Sequence, residues 1–582
     1  MKSFFKKYRI LFIALLLLLS FFILRSVISL SGGGKSSGTF QEFCNELFKN
    51  EVTSNTVNLH FTLKDPKSAG ISSYDITLGC YSGEQQKHLK DQLEELQKKI
   101  DRFSYRSLSS QEKLTYQVLS DYIDRKRVLA DYPYYDEVLT PSGGVTSQLP
   151  ILLAEYAFNS KQDIEDYLTL LGQMDAYFAG ILEYEQEKAD AGLFMSDKSC
   201  MKVLAGCEVF SEHPDDNFLI ETFDNRINEF EGLSDSEKKD YIERNKTVIK
   251  EHVIPAYKQM IIGLTHLLGS GRNDWGLCCY KNGNAYYEAL VSSYTGCDDG
   301  VESLFDQIET ARKEDLSVCS DLLSKDPKLA TASPNLDPML SDEIHMIESL
   351  QSSISKDFPA PPENNCEICH VDPALSEYLA PAFYITAPID DFSHNKIYIN
   401  DAQEYDDLYY FTTLAHEGYP GHLYQTIQSY NYDLPQVRTL LDYPGYTEGW
   451  ATYVEMQAYY YAGLSEDLAS LLQHNQAATL SLYATSDIGI HYYGWKKEDM
   501  VKFWSDYGIS DEDTIEQITD LILEEPGNYL KYYVGYLKFR QLREKEEEKL
   551  KDRFDPIAFH EAILRIGPAP FSILEKKVDE LL

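Results

Sequence analysis

From Thr39 onward, apolar residues return every three or four positions with charges between them, as in Leu89-Lys-Asp-Gln-Leu-Glu-Glu-Leu-Gln-Lys-Lys-Ile100. That is the period of a helix burying one stripe, and it predicts a predominantly α-helical body. One stretch departs from it. Ala382-Phe-Tyr-Ile-Thr386 and Lys396-Ile-Tyr-Ile-Asn400 are short aromatic and β-branched runs separated by Pro388-Ile-Asp-Asp-Phe-Ser-His-Asn395, and they read as two strands of a small antiparallel sheet. Punctuation at Pro141-Ser-Gly-Gly144 and Pro359-Ala-Pro-Pro362 interrupts the helical pattern without a low-complexity linker or an internal repeat, so 39–582 reads as one large domain. The charged run Arg543 to Arg553 reads as a solvated helix face.

The amino terminus follows a different pattern. Ile10 to Leu24 is an unbroken apolar run, apart from Ser20, behind Lys2, Lys6, Lys7 and Arg9. Its length lies between a signal-peptide core and a span of about 20 residues. Residues 1–9 read as a cytoplasmic basic segment and 10–30 as a signal anchor or a signal peptide. Residues 31–38, SGGGKSSG, read as a flexible linker. Arg25 can snorkel and no A-x-A site follows, which favours the anchor, while Ser29-x-Ser31 leaves cleavage and secretion open. Either way the basic end stays in the cytoplasm and the body lies outside, in contact with the membrane only through this segment. A lipoprotein box is absent, since the first cysteine is Cys44.

Charge and cysteine content narrow the chemistry. With 53 Lys and Arg against 93 Asp and Glu, the chain carries −40 and repels phosphate backbones, which excludes nucleic acid as a partner. Ten cysteines in an exported chain permit disulfides, and Cys200 with Cys207 and Cys366 with Cys369 are close enough in sequence to pair locally. Cys366-Glu-Ile-Cys369-His370 fits the haem-attachment spacing, but no other haem feature accompanies it. The remaining cysteines lack the paired spacing of a structural zinc site.

The densest chemistry is Phe411-Thr-Thr-Leu-Ala-His416-Glu417-Gly-Tyr-Pro-Gly-His422. Two imidazoles can hold Zn²⁺ while a carboxylate beside the first moves a proton. Histidines four apart on a helix differ by about 40° in direction, whereas six apart they differ by about 240° and diverge. A regular helix cannot hold this site. Pro420 cannot continue the hydrogen-bond ladder, and Gly418 and Gly421 open backbone angles closed to other residues, so the chain is expected to turn after Glu417 and bring His422 back toward His416. Tyr446-Thr-Glu448-Gly-Trp450-Ala-Thr-Tyr453-Val-Glu455 continues with two glutamates seven apart on one helix face. One can complete a ligand set and the other can orient a histidine.

HEGYPGH, EGWATYVE, SDIGIHYYGW (Ser486 to Trp495) and EEPGNYLKYYVGYLKFRQLRE (Glu524 to Glu544) together resemble the bacterial family called domain of unknown function 885. The resemblance extends to NLHFTLKDP at Asn58, PAFYITAPID at Pro381 and FDPIAFHEAIL at Phe554, nearly the whole body. Members of that family look like gluzincin-type zinc peptidases. The resemblance implies a large, helical, bilobal fold with a deep cleft and the small sheet beside the metal-binding helix. It also implies one Zn²⁺ per chain on His416, His422 and Glu448, with Glu417 as acid/base. Glu455 is then the residue that orients a ligand histidine.

Two donors are expected opposite the metal. One is Tyr532, which matches the family's tyrosine. The other is His491, whose tautomer Asp487, four residues earlier on a helix, can fix. The strand Lys396 to Asn400, with Tyr398 and Asn400, is expected to bind an extended peptide along its edge. The leading expectation is a membrane-anchored or secreted zinc peptidase acting on extracellular peptides. Its rival is an inactive envelope protein that binds peptides or glycans on the same fold. Glu417 favours the enzyme, because binding alone does not require a proton carrier beside His416.

Overall fold

The computed structural model describes residues 38–582 apart from 274, 338–339, 341, 372–380 and 402–405. The basic segment 1–9, the anchor or signal peptide 10–30 and all of the linker but Gly38 lie outside the described residues. Among the described residues no helix is long and apolar enough to cross a membrane. The body is mainly helical, as its periodicity dictates, with one small sheet.

That sheet holds three strands where the sequence pattern suggests two. β1 (Asn365–His370), β2 (Ala382–Ile385) and β3 (His394–Ile399) lie in the order β1-β3-β2. β2 runs antiparallel to β3, with Tyr384 opposite Ile397, and β1 joins the other side of β3 in parallel, with Ile368 opposite Ile397. The antiparallel expectation is therefore corrected to a mixed sheet. β1 escapes the pattern because it lacks a buried face, each of its residues being exposed or only half-buried.

Successive strand residues face opposite ways. Ala382, Tyr384, Ile397 and Ile399 join a core shared with helices Asp407–Glu417, Pro444–Ala458 and Asn528–Leu550. Val371, Phe383 and Tyr398 join a second core shared with helices Lys161–Leu171, Met174–Asp190 and Ile254–Leu267. The sheet thus separates two hydrophobic cores, and its β2 edge lies against helix Asp407–Glu417.

Helices Pro444–Ala458 and Asn528–Leu550 cross with their backbones in contact. A Cβ on Gly449 would lie 2.4 Å from Gly535 Cα, and one on Gly535 would lie 2.2 Å from Gly445 O. Glycine is required on both sides of this crossing, and the approach sets Lys531 and Tyr532, one turn before Gly535, beside Glu448. Gly449→Ala is expected to destabilise the protein by about 1–3 kcal/mol through overpacking. Thermal melts followed by circular dichroism check this, and an unchanged midpoint would show that the two helices can part freely.

The local disulfides that the sequence permits are not formed, and all ten cysteines are free thiols. Cys366 and Cys369 sit three apart on β1 and so point to opposite faces. Cys200 and Cys207 lie seven apart on helix Asp197–Glu212. At 1.5 Å per residue that is about 10.5 Å of rise, beyond the roughly 7 Å a disulfide spans between Cα atoms. Burial pushes both thiols up to about 12, which keeps them protonated.

Candidate metal centre

Helix Asp407–Glu417 is capped by Asp406, whose carboxylate accepts from Tyr409 N–H at 2.9 Å, and it ends where Gly418 takes φ −107° and ψ −97°. The Tyr419–Pro420 peptide is cis, and the next helix starts at His422. Gly421 passes so close to the first helix that a Cβ there would lie 1.7 Å from His416 O. Trp450 holds the turn from outside, its indole N–H donating to Pro420 O at 2.8 Å. The chain folds back, and the two imidazole rings stand 4.8 Å apart, centre to centre, at 78°.

Helix Pro444–Ala458 supplies the rest from one face. Glu448 Oε2 lies 3.3 Å from His422 Nε2 and 3.7 Å from His416 Nε2. Two turns on, Glu455 Oε2 is 3.0 Å from His416 Nδ1, so the imidazole donates there and turns Nε2 toward Glu448. Glu417 Oε2 accepts from Tyr384 N–H of β2 at 2.9 Å. The outer edge of β2 thus meets the acidic residue next to His416.

These groups suit a divalent ion. Glu417 Oε1, His422 Nε2 and Glu448 Oε2 are buried without a hydrogen-bond partner among the described residues. Leaving each so costs about 1–3 kcal/mol unless a further ligand joins them. A tetrahedral ion about 2.0–2.1 Å from nitrogen and oxygen ligands holds them about 3.3–3.4 Å apart, close to the separations of Glu448 from the two imidazoles. Three carboxylates around two imidazoles also call for positive charge. Burial would lower His416, yet the nearby Glu448 carboxylate, the Glu455 carboxylate that accepts from its Nδ1–H and the Glu417 charge raise it from 6.5 to about 10. Burial would raise Glu448, but His416, His422 and Lys531 hold it well below the usual carboxylate range. Glu417 is raised, burial outweighing the two imidazoles and the Tyr384 N–H.

Tyr532 lies at the same point, its ring 6.4 Å from that of His416. Burial, with the Glu448 and Glu417 charges, lifts its phenol well above 10 and keeps it a neutral donor. Lys531, which sequence reasoning passed over, brings its ammonium to 4.0 Å from Glu448 Oε1 and lies over the Tyr532 ring. The signal was available as a lysine inside the aromatic run Tyr529-Leu-Lys-Tyr-Tyr533, where a stray charge is costly.

The family model described as bacterial protein of unknown function (DUF885) matches residues 66–578. The chain belongs to that family. No curated protein matches it. Among solved structures it is similar to a candidate lipoprotein from Colwellia psychrerythraea, at 20% identity and a TM-score of 0.81, covering 93% of this chain and 99% of that one. A candidate lipoprotein of unknown function from Shewanella oneidensis is also similar, at 16% identity and a TM-score of 0.64, with the same coverage. At these identities the likeness is one of fold.

Two groups of expected site residues in this DUF885 protein are corrected. His491 is fully buried with both ring nitrogens bound to backbone: Nδ1 accepts from Leu277 N–H at 3.1 Å and Nε2–H donates to Ile522 O at 2.8 Å. Burial lowers it to about 4, so it is a neutral core histidine with no donor left for a substrate. Asp487 does not fix its tautomer, because that carboxylate accepts from Tyr287 O–H at 2.5 Å and Gly527 N–H at 3.0 Å. Tyr398 and Asn400 are buried, Tyr398 stacking on Phe383 and donating to Glu155, and Asn400 N–H donating to Pro381 O. β3 is the central strand with both edges paired, so it cannot accept a peptide.

Proposed function

We propose that this DUF885 protein is a zinc-dependent peptidase. The observation that carries the reading is the convergence of His416, His422 and Glu448 on one point, with Glu417 beside them. A zinc ion held by those three residues would polarise a substrate carbonyl and make water a usable nucleophile near neutral pH. Glu417, fixed through one oxygen by Tyr384 N–H, offers the other to take the attacking water's proton and return it to the leaving amine. Glu455 keeps His416 in the tautomer that presents Nε2. Tyr532, neutral and buried, donates to the oxyanion as it develops. The β2 edge beside Glu417 is where an extended peptide would add main-chain hydrogen bonds, the role expected at first of β3.

The test is metal analysis of the purified protein together with cleavage of a broad peptide library before and after chelation. One zinc per chain and chelator-sensitive cleavage support the reading, and a stoichiometric metal with no hydrolysis of any peptide counts against it. Tyr532→Phe is expected to lower kcat about 10²-fold, or about 2.7 kcal/mol, with KM and zinc content nearly unchanged, because the hydroxyl acts mainly on the transition state. A change confined to KM would make Tyr532 a substrate-binding residue.

We also infer an envelope location. The basic, apolar amino terminus supports it, and so does the likeness to two candidate lipoproteins.

A further inference from the structure

Beside the metal centre lies a cavity of about 170 Å³ whose wall includes Tyr122, Tyr132, Tyr286 and Tyr294. Four charged residues reach it. Lys126, Asp136 and Asp442 are partly exposed, whereas Lys531 is 2% exposed. Asp136 is already engaged, accepting from Tyr81 O–H at 2.7 Å and Tyr184 O–H at 2.5 Å. The Lys531 ammonium makes no hydrogen bond among the described residues. Its ion pair is the long 4.0 Å approach to Glu448 Oε1, a group whose other oxygen faces the two imidazoles. Glu448 and the buried Glu525 carboxylate offset the charge of Lys531, but neither accepts a hydrogen bond from it, and a further carboxylate in the cavity can fill those donors with strong charge-assisted hydrogen bonds.

We propose that Lys531 anchors a carboxylate of the peptide substrate, an inference that rests on the peptidase reading above. The distance suits a chain end. The N–Cα–C path from a scissile carbonyl carbon to the carboxylate of the next residue spans only about 4 Å, so an ammonium this near Glu448 can reach the terminal carboxylate of a last residue while the bond before it is at Glu417. The enzyme then trims peptides from their carboxyl ends. An acidic side chain close to the cleaved bond offers the same chemistry from a second source.

The experiment uses the full zinc-loaded chain and three peptides of otherwise neutral sequence: one with a free carboxyl end, its amide, and an amide carrying glutamate as the last residue. A free-acid preference of roughly 10- to 100-fold in kcat/KM, the scale of a hydrogen bond to a charged group, supports terminal anchoring. Recovery of that rate by the glutamate amide assigns the anchor to a side chain. Lys531→Met must bring the preferred peptide down to the rate of the plain amide, a collapse of selectivity that a merely structural role would not produce. Calorimetric binding of the same peptides to Glu417→Gln protein gives the ratio without turnover, and the wild-type comparison stands even if Lys531→Met fails to fold. Equal rates for all three peptides, or a preference unchanged in Lys531→Met, overturn the anchor and leave the peptidase reading standing. No cleavage of any peptide overturns that reading and the anchor with it.

Discussion

Glu417→Gln is expected to leave the fold and the metal content intact and to lower peptide hydrolysis by roughly 10²–10⁴-fold, the range of a positioned acid/base. The fold should survive because the substitution is isosteric. The glutamine Oε1 can still accept from Tyr384 N–H, which holds Glu417 Oε2 at 2.9 Å, so the hold of β2 on the helix end persists. Metal should be retained because His416, His422 and Glu448 are untouched and Glu455 still orients His416. What disappears is a group able to carry a proton, since an amide does not ionise near neutrality. The measurement is kcat/KM on a peptide the wild-type enzyme cleaves, alongside zinc analysis of the same sample. A rate within a few-fold of wild type removes Glu417 from the proton path, and a loss of zinc would place it among the ligands instead.

Much of this centre was legible in the sequence because the decisive interactions are local. Pro420 and the glycines at 418 and 421 sit inside a dozen residues, and their backbone requirements alone break the helix between His416 and His422. Glu448 and Glu455 share a face by spacing alone. The errors arise where partners come from distant segments. His491 lies four residues after Asp487 in a helical run, but its ring is claimed by Leu277 and Ile522, which no spacing rule connects to it. Tyr398 looks available on an alternating strand until β1, with no buried face of its own, takes the second edge of β3. Lys531 reaches Glu448 only because Gly449 and Gly535 let two helices touch backbone to backbone, a contact between segments some 86 positions apart. Local spacing singles out His416, His422 and the pair Glu448 and Glu455; which other residues surround them is decided by the crossing of helices.

On the zinc reading proposed above, single substitutions should separate the residues that would hold the metal from the one that would orient them. His416→Ala, His422→Ala and Glu448→Ala each delete one of the three atoms that meet within 3.3–3.7 Å about Glu448, and each is expected to lose zinc after dialysis. A tetrahedral site with two protein ligands left cannot compete with solvent and buffer for the ion. Glu455→Gln differs, because Glu455 touches His416 only at Nδ1. Its carboxamide oxygen can still accept that N–H, though without the charge, so affinity should fall by roughly 10- to 100-fold and stoichiometric zinc should return at higher metal concentration. Metal titrations against a chelating indicator measure both effects on one scale. Binding only to the folded state also stabilises it, so zinc should raise the melting temperature of wild-type and Glu455→Gln proteins and leave the three ligand variants unmoved. His422→Ala is the most exacting of these. His422 joins the site only through the turn that Gly421 permits, and full zinc retention without His422 would mean that this turn serves packing and that His416, Glu417 and Glu448 hold the ion without it.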